Sequence, residues 1–259
     1  MCHSKPNYFS ISQLNKFMAC QLAYKFYYRE GVKFPPSHQL VVGSAIHKGF
    51  ELALKEIFNL GGFNIDTVIE EAQVEFERLW VNGVNDPEKE EEARQKFEHL
   101  RFFLENWPFP EKTEIVAVEN RVEIDGIVAY PDLVLRNEII DFKTTARTPS
   151  EVSRSHFLQI GFYRKVMNVD KARLVYLVLT KKPKIVERYF DKAEMDLAEK
   201  LVDDAIFMAK TSIQEADATG LWLPTGIAGF TCSYCEFAKY EICEFGQKIE
   251  IGGKDGQKS

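Results

Sequence analysis

The stretch that most constrains the fold is residues 130–143, Tyr-Pro-Asp-Leu-Val-Leu-Arg-Asn-Glu-Ile-Ile-Asp-Phe-Lys. Two short apolar runs, Leu133-Val134-Leu135 and Ile139-Ile140, flank Arg136-Asn137, the pattern of a tight hairpin with a two-residue loop. Pairing Leu135 with Glu138 and counting back along both strands sets Asp132 directly opposite Asp141. Strand side chains alternate faces, so Lys143 projects on the side of Asp141 while Phe142 points the other way. Like charges opposed across a ladder destabilise it, and a divalent cation is the simplest compensation. Hard oxygen ligands suit Mg or Mn, and such an ion binds substrate phosphates. Lys143 beside it can orient a water or neutralise phosphate charge. The plain alternative is that both acids are strand-end residues and Lys143 a solvated strand terminus.

Ahead of this hairpin the periodicity is helical. Ser10 and Gln13 can form a capping box for a helix running to about Tyr28, with Cys20 on it. After a loop over 31–38, a second helix is expected over 43–58, with His47 one position off its apolar face and Glu51 four residues later. A lone helical His is commonly surface or core filler, and it becomes a ligand only if this helix abuts the hairpin. Further helices are expected at 66–81 and 87–107, the charge run 88–92 being a solvated helix start.

From Glu114 the period becomes alternating. Residues 115–124 read as one strand, Asp125-Gly126 as a turn, and 127–135 as the next strand. Glu119 and Glu123 read as solvent-facing, or as a further carboxylate for the site. A helix is expected from Thr148-Pro149 or Ser150 to about Met167, with Gln159 and Tyr163 on one face. Strands over 173–180 and 185–190, joined by the basic turn 181–184, precede a helix from Asp191 to about Ala216. The polar tail 252–259 is expected to be disordered.

A net charge of −6 argues against a protein that coats nucleic acid nonspecifically, without excluding a local basic track. Neither a membrane-length apolar run nor a secretory leader is legible, so a cytoplasmic protein is expected. In a reducing compartment grouped cysteines favour metal ligation over disulfides. Here Cys232, Cys235 and Cys243 form C-x2-C-x7-C, and Cys20 is the best remote fourth ligand, with Cys2 and His3 weaker. A zinc site would usually pair two C-x2-C knuckles, and only one is present. An iron-sulfur cluster tolerates the less regular spacing.

Together these residues resemble the PD-(D/E)XK nuclease superfamily in its RecB-like branch, closest to the iron-sulfur nucleases of CRISPR adaptation and to AddB. The likeness rests on Pro131-Asp132, the Asp141-Phe142-Lys143 triplet, His47 after Gly43, Gln159 and Tyr163 as Q-x3-Y, and the cysteine order. One departure is Ala129, which stands where a G-x-x-D acid would fall after Gly126.

The resemblance implies an α/β fold: a restriction-endonuclease-like mixed sheet flanked by helices, with a helical lobe pinned by a 4Fe-4S cluster on Cys20, Cys232, Cys235 and Cys243. It implies one nuclease domain over 1–251, made of helices 10–107, a sheet core 114–190 and a C-terminal segment 191–245. Mg or Mn would be held by His47, Asp132, Asp141 and the Phe142 carbonyl. Lys143 would position the attacking water, and Gln159 and Tyr163 would organise the site. The implied activity is DNA exonuclease action on single strands or ends in recombination, repair or CRISPR prespacer processing, with an integrase or helicase partner. Arg147, Arg154, Arg164 and the turn 181–184 are candidates for backbone contacts, and Trp107, Phe109 and Tyr130 for base stacking or core packing. The chain has no G-x-x-x-x-G-K-[ST] phosphate loop and hence no helicase motor of its own. The alternative, motivated by Ala129, is a catalytically weakened DNA-binding or partner-docking module; zinc is the alternative to the cluster.

Overall fold

The computed structural model describes residues 9–84, 86–224 and 230–246. Cys2, His3 and the tail 252–259 lie outside them. The chain forms two compact units, one comprising 1–5, 12–34 and 207–259, the other 6–11 and 35–206.

In chain order the elements are β1 (Phe9–Ser10), α1 (Ile11–Ala19), α2 (Gln21–Tyr24), a π-helical turn at Lys25–Arg29, α3 (His38–Leu60), α4 (Ile65–Leu79), a second π-helical turn at Trp80–Val84, α5 (Pro87–Phe97) and α6 (His99–Asn106). Then come β2 (Ile115–Val118), β3 (Val122–Ile124), β4 (Ile127–Ala129), β5 (Leu133–Leu135), β6 (Ile139–Thr145), α7 (Arg154–Met167), β7 (Ala172–Val178), β8 (Lys184–Phe190) and α8 (Lys192–Thr219). The short α9 (Phe230–Ser233) and α10 (Glu236–Lys239) follow. Among the described residues no helix is long and apolar enough to cross a membrane.

The larger unit is built on a five-stranded mixed sheet of order β2-β5-β6-β7-β8. β6 and β7 are its parallel pair, in register from Ile139 with Ala172 to Thr145 with Val178. Parallel neighbours need a crossover, and α7 supplies it. Strands covered on both faces read as near-continuous apolar runs, and β7 is Ala-Arg-Leu-Val-Tyr-Leu-Val, broken only by Arg173, which pairs with Glu138 and Glu187. A buried cluster that includes Ile46, Phe50, Leu100, Phe103, Trp107 and Phe142 joins α3 and α6 to the sheet. Phe142 meets Phe50 at 4.5 Å and Trp107 at 5.0 Å between ring centroids.

Several boundaries differ from the sequence expectation, each for a local reason. The first helix is interrupted at Cys20, whose backbone is extended. The second starts earlier, because the Ser37 hydroxyl caps it by accepting from Leu40 N–H. Residues 87–107 form two helices. The expected strand 115–124 breaks at Glu119, which adopts φ 50°, and 127–135 divides between two sheets. β4 joins β1 and β3 in a separate three-stranded sheet, the β3–β4 turn being Asp125-Gly126 with both residues left-handed. α7 begins at Arg154, where Ser153 accepts from His156 N–H, and not at Pro149.

In the smaller unit Tyr24 stacks on Trp222, Phe34 on Tyr240, and Phe237 packs against Phe26 and Phe34. Arg29 pairs with Asp217 at 3.0 Å.

Candidate active site

The hairpin forms as its sequence dictates. Leu135 N–H donates to Glu138 O at 2.8 Å, and Leu133 and Val134 pair with Ile140 and Ile139. That register brings Asp132, just before β5, alongside Asp141 in β6. The Phe142 N–H donates to Asp132 Oδ2 at 2.6 Å. Across the site, α3 approaches β6 closely at Gly43, where a Cβ would lie 2.7 Å from Thr144 Oγ1. One turn further along α3, His47 Nδ1 lies 3.7 Å from Asp132 Oδ2. The helix therefore abuts the hairpin, the condition on which the ligand reading of His47 depended.

Asp141 is 1% exposed and is held from the α7 side. Its Oδ1 accepts from the Tyr163 hydroxyl at 2.6 Å and from Gln159 Nε2 at 2.8 Å, and Gln159 also donates to the Tyr163 oxygen. Its Oδ2 is buried and accepts no well-aligned hydrogen bond, but it is ion-paired to the Lys143 ammonium at 2.5 Å. Burial, and next the charge of Asp141, raise the Asp132 carboxyl well above the usual range. Burial drives the His47 imidazole down to about 4, so it is neutral near pH 7, the form that binds metal. Burial followed by the charges of Asp141 and Asp132 raises the Tyr163 phenol, which stays protonated.

These donors suit a hard divalent cation: two carboxylates and a neutral imidazole, with one carboxylate crowded by the other's charge. Among the described residues no three His, Cys, Asp or Glu side chains gather closely enough to hold a metal ion.

Glu119, read from sequence chiefly as solvent-facing, belongs to this neighbourhood. Its N–H donates to Asp132 O at 3.1 Å, and burial and then Glu51 raise its carboxyl. With His47, Glu51 and Thr144 it lines a groove of about 680 Å³. Its left-handed backbone, rare for Glu, carries no sequence signal.

Two candidates for substrate contact are withdrawn. Arg164 is buried and occupied by Asp196, Asp170 and Glu199. Trp107 is core, donating its indole N–H to Glu187. Arg147, Arg154, Lys181, Lys182 and Lys184 are exposed, as is Tyr130.

In the smaller unit Cys20, Cys232, Cys235 and Cys243 line one mainly apolar cavity of about 20 Å³. Leu22, Phe26 and Phe237 line it with them.

A family model described as the PD-(D/E)XK nuclease superfamily matches residues 8–244. No curated protein matches. Among solved structures, one from Eubacterium rectale described as a "Putative exonuclease" is 14% identical, with 96% of this chain and 92% of that one covered and a TM-score of 0.50. An alkaline exonuclease from Laribacter hongkongensis is 13% identical over 84% and 95% of the two chains, with a TM-score of 0.36. A phage-related exonuclease from Haemophilus somnus is 14% identical over 80% and 96%, with a TM-score of 0.33.

Proposed function

The chain belongs to the PD-(D/E)XK nuclease superfamily, and from that premise we propose that it is a Mg- or Mn-dependent DNA exonuclease acting on single strands or ends. The observation that carries the reading is the hairpin that sets Asp132 beside Asp141, with Lys143 2.5 Å from the latter.

His47, Asp132, Asp141 and the Phe142 carbonyl are the donors we assign to the ion. When bound, it polarises the scissile phosphate and stabilises the leaving oxygen. The chain's own side chains do the rest. Tyr163 and Gln159 occupy Oδ1 of Asp141, which leaves Oδ2 as the oxygen for the cation. The Lys143 ammonium would hold the attacking water and offset charge gathering on the phosphate. Arg147, Arg154 and the turn 181–184 supply phosphate contacts that weaken as salt rises.

For the cysteines we propose a 4Fe-4S cluster on Cys20, Cys232, Cys235 and Cys243, because all four line one cavity and thiolates select soft metals. Visible absorbance and acid-labile sulfide in anaerobically prepared protein support the cluster; a colourless preparation with stoichiometric zinc replaces it with zinc. The biological setting we assign is recombination, repair or prespacer processing beside an integrase or helicase partner.

The test is cleavage of end-labelled single-stranded DNA with Mn or Mg. Wild type yields a ladder of shortened products, while Asp141→Ala and Lys143→Ala yield none. Unchanged cleavage by both variants removes the site. Salt-sensitive binding without cleavage under any divalent ion leaves a DNA-binding module.

A further inference from the structure

α7 carries more toward β6 than the two side chains on Asp141. His156, Gln159 and Tyr163 fall three and four residues apart on one helix face. Gln159 and Tyr163 reach Asp141, and His156, a turn nearer the helix start, faces the next row of the sheet. In that row Lys143 of β6 is the register partner of Tyr176 of β7. His156 Nδ1 lies 3.1 Å from the Tyr176 hydroxyl, and the two rings are 5.7 Å apart.

The tautomer follows from hydrogen-bond accounting. Tyr176 is 3% exposed, and Nδ1 of His156 is the one acceptor its hydroxyl meets among the described residues. A buried hydroxyl proton left without an acceptor is costly, so Tyr176 donates to Nδ1 and the ring proton sits on Nε2. Nε2 meets no protein partner among the described residues, although the side chain is half-buried. Burial, and then the Lys143 ammonium, lower the imidazole's pKa, so the ring is neutral near pH 7. A neutral N–H donor thus stands at the row of Lys143, fixed by a buried phenol on the neighbouring strand.

We propose that His156 is a substrate-contacting residue: its Nε2–H donates to a non-bridging oxygen of the phosphodiester that Lys143 faces, with Tyr176 as the positioning residue that fixes the ring. This rests on the nuclease reading above and extends it to one atom of the substrate.

The experiment measures kcat/KM on an end-labelled single-stranded oligodeoxynucleotide with Mn at several salt concentrations. It compares wild type, His156→Ala, His156→Gln and, as a charged comparator, Arg154→Ala. His156→Ala is expected to lose roughly 10- to 100-fold in kcat/KM, the scale of one hydrogen bond to a charged group. Its salt slope should stay at the wild-type value, because a neutral donor releases no counterion, while its thermal midpoint falls, because the Tyr176 hydroxyl loses its acceptor. His156→Gln should recover part of the loss, and Arg154→Ala should make the slope shallower by about 0.7. Wild-type kcat/KM in His156→Ala overturns the proposal while leaving the nuclease reading intact, as does a loss accompanied by a shallower slope. A wild-type protein that cuts nothing overturns the nuclease reading itself. If His156→Ala fails to fold, Tyr176→Phe carries the test: freeing the tautomer should lower kcat/KM several-fold, and an unchanged value refutes the assignment.

Discussion

Substituting Gly161 by alanine tests how the helix that holds Asp141 is itself held. A Cβ at this position would lie 2.2 Å from Ala198 O, 2.3 Å from Ala198 C and 2.7 Å from Glu199 N. All three are backbone atoms of α8, so no rotamer change relieves the clash. Restoring ordinary contact requires α7 and α8 to part by roughly 1 Å, and overpacking of this kind costs about 3 kcal/mol at the upper end of its usual range. Alanine's better helix propensity returns about 1 kcal/mol. The net loss of about 2 kcal/mol corresponds to a fall of roughly 4–8 °C in thermal midpoint for a unit of this size. The same displacement moves Gln159 and Tyr163, whose bonds to Asp141 are 2.8 and 2.6 Å, and misplacement of about 1 Å can cost on the order of 100-fold in rate. Urea unfolding and oligonucleotide cleavage measure the two effects. A Gly161→Ala protein as stable as wild type, or more stable, would show that the two helices do not meet at this glycine and refute the reasoning.

Tyr163→Phe removes a donor to a buried carboxylate and should destabilise the metal-free protein by about 2 kcal/mol in urea unfolding; an unchanged midpoint contradicts the Tyr163–Asp141 bond. The pH dependence follows from Asp132, whose folded-state pKa is raised. Between its unfolded value near 4 and that raised value, the folded protein keeps a proton the unfolded chain has lost, so metal-free stability falls as pH rises through this window. A divalent cation competes with that proton. The Mn-induced rise in thermal midpoint should therefore grow as pH rises above the ordinary carboxylate range in wild type and stay flat in Asp132→Asn. Equal Mn shifts across that window in wild type would contradict the assignment.

The hairpin was legible because a two-residue loop fixes register and strand side chains alternate, so Asp132, Asp141, Lys143 and the inward Phe142 followed by counting. Gln159 and Tyr163 were legible as a helical pair, though their shared target on Asp141 was not. What escaped is non-local or unsignalled. Glu119 turns the chain in a left-handed conformation where Gly or Asn would have announced it. Arg164 looked available until Asp196 and Glu199, distant in sequence, closed on it from α8. Gly161 gave no hint of the close backbone approach it permits. The start of α7 was misplaced because Pro149 is a strong first-turn signal, whereas the Ser153 cap is used.

The most direct measurement is Mn binding by the purified protein, followed by titration calorimetry without DNA, for wild type, Asp132→Asn and Asp141→Asn. The account predicts saturable binding by wild type that each single amide substitution weakens by at least tenfold, since each removes one anionic donor from a shared ion. Wild-type affinity in either variant would show that the two carboxylates do not hold one cation.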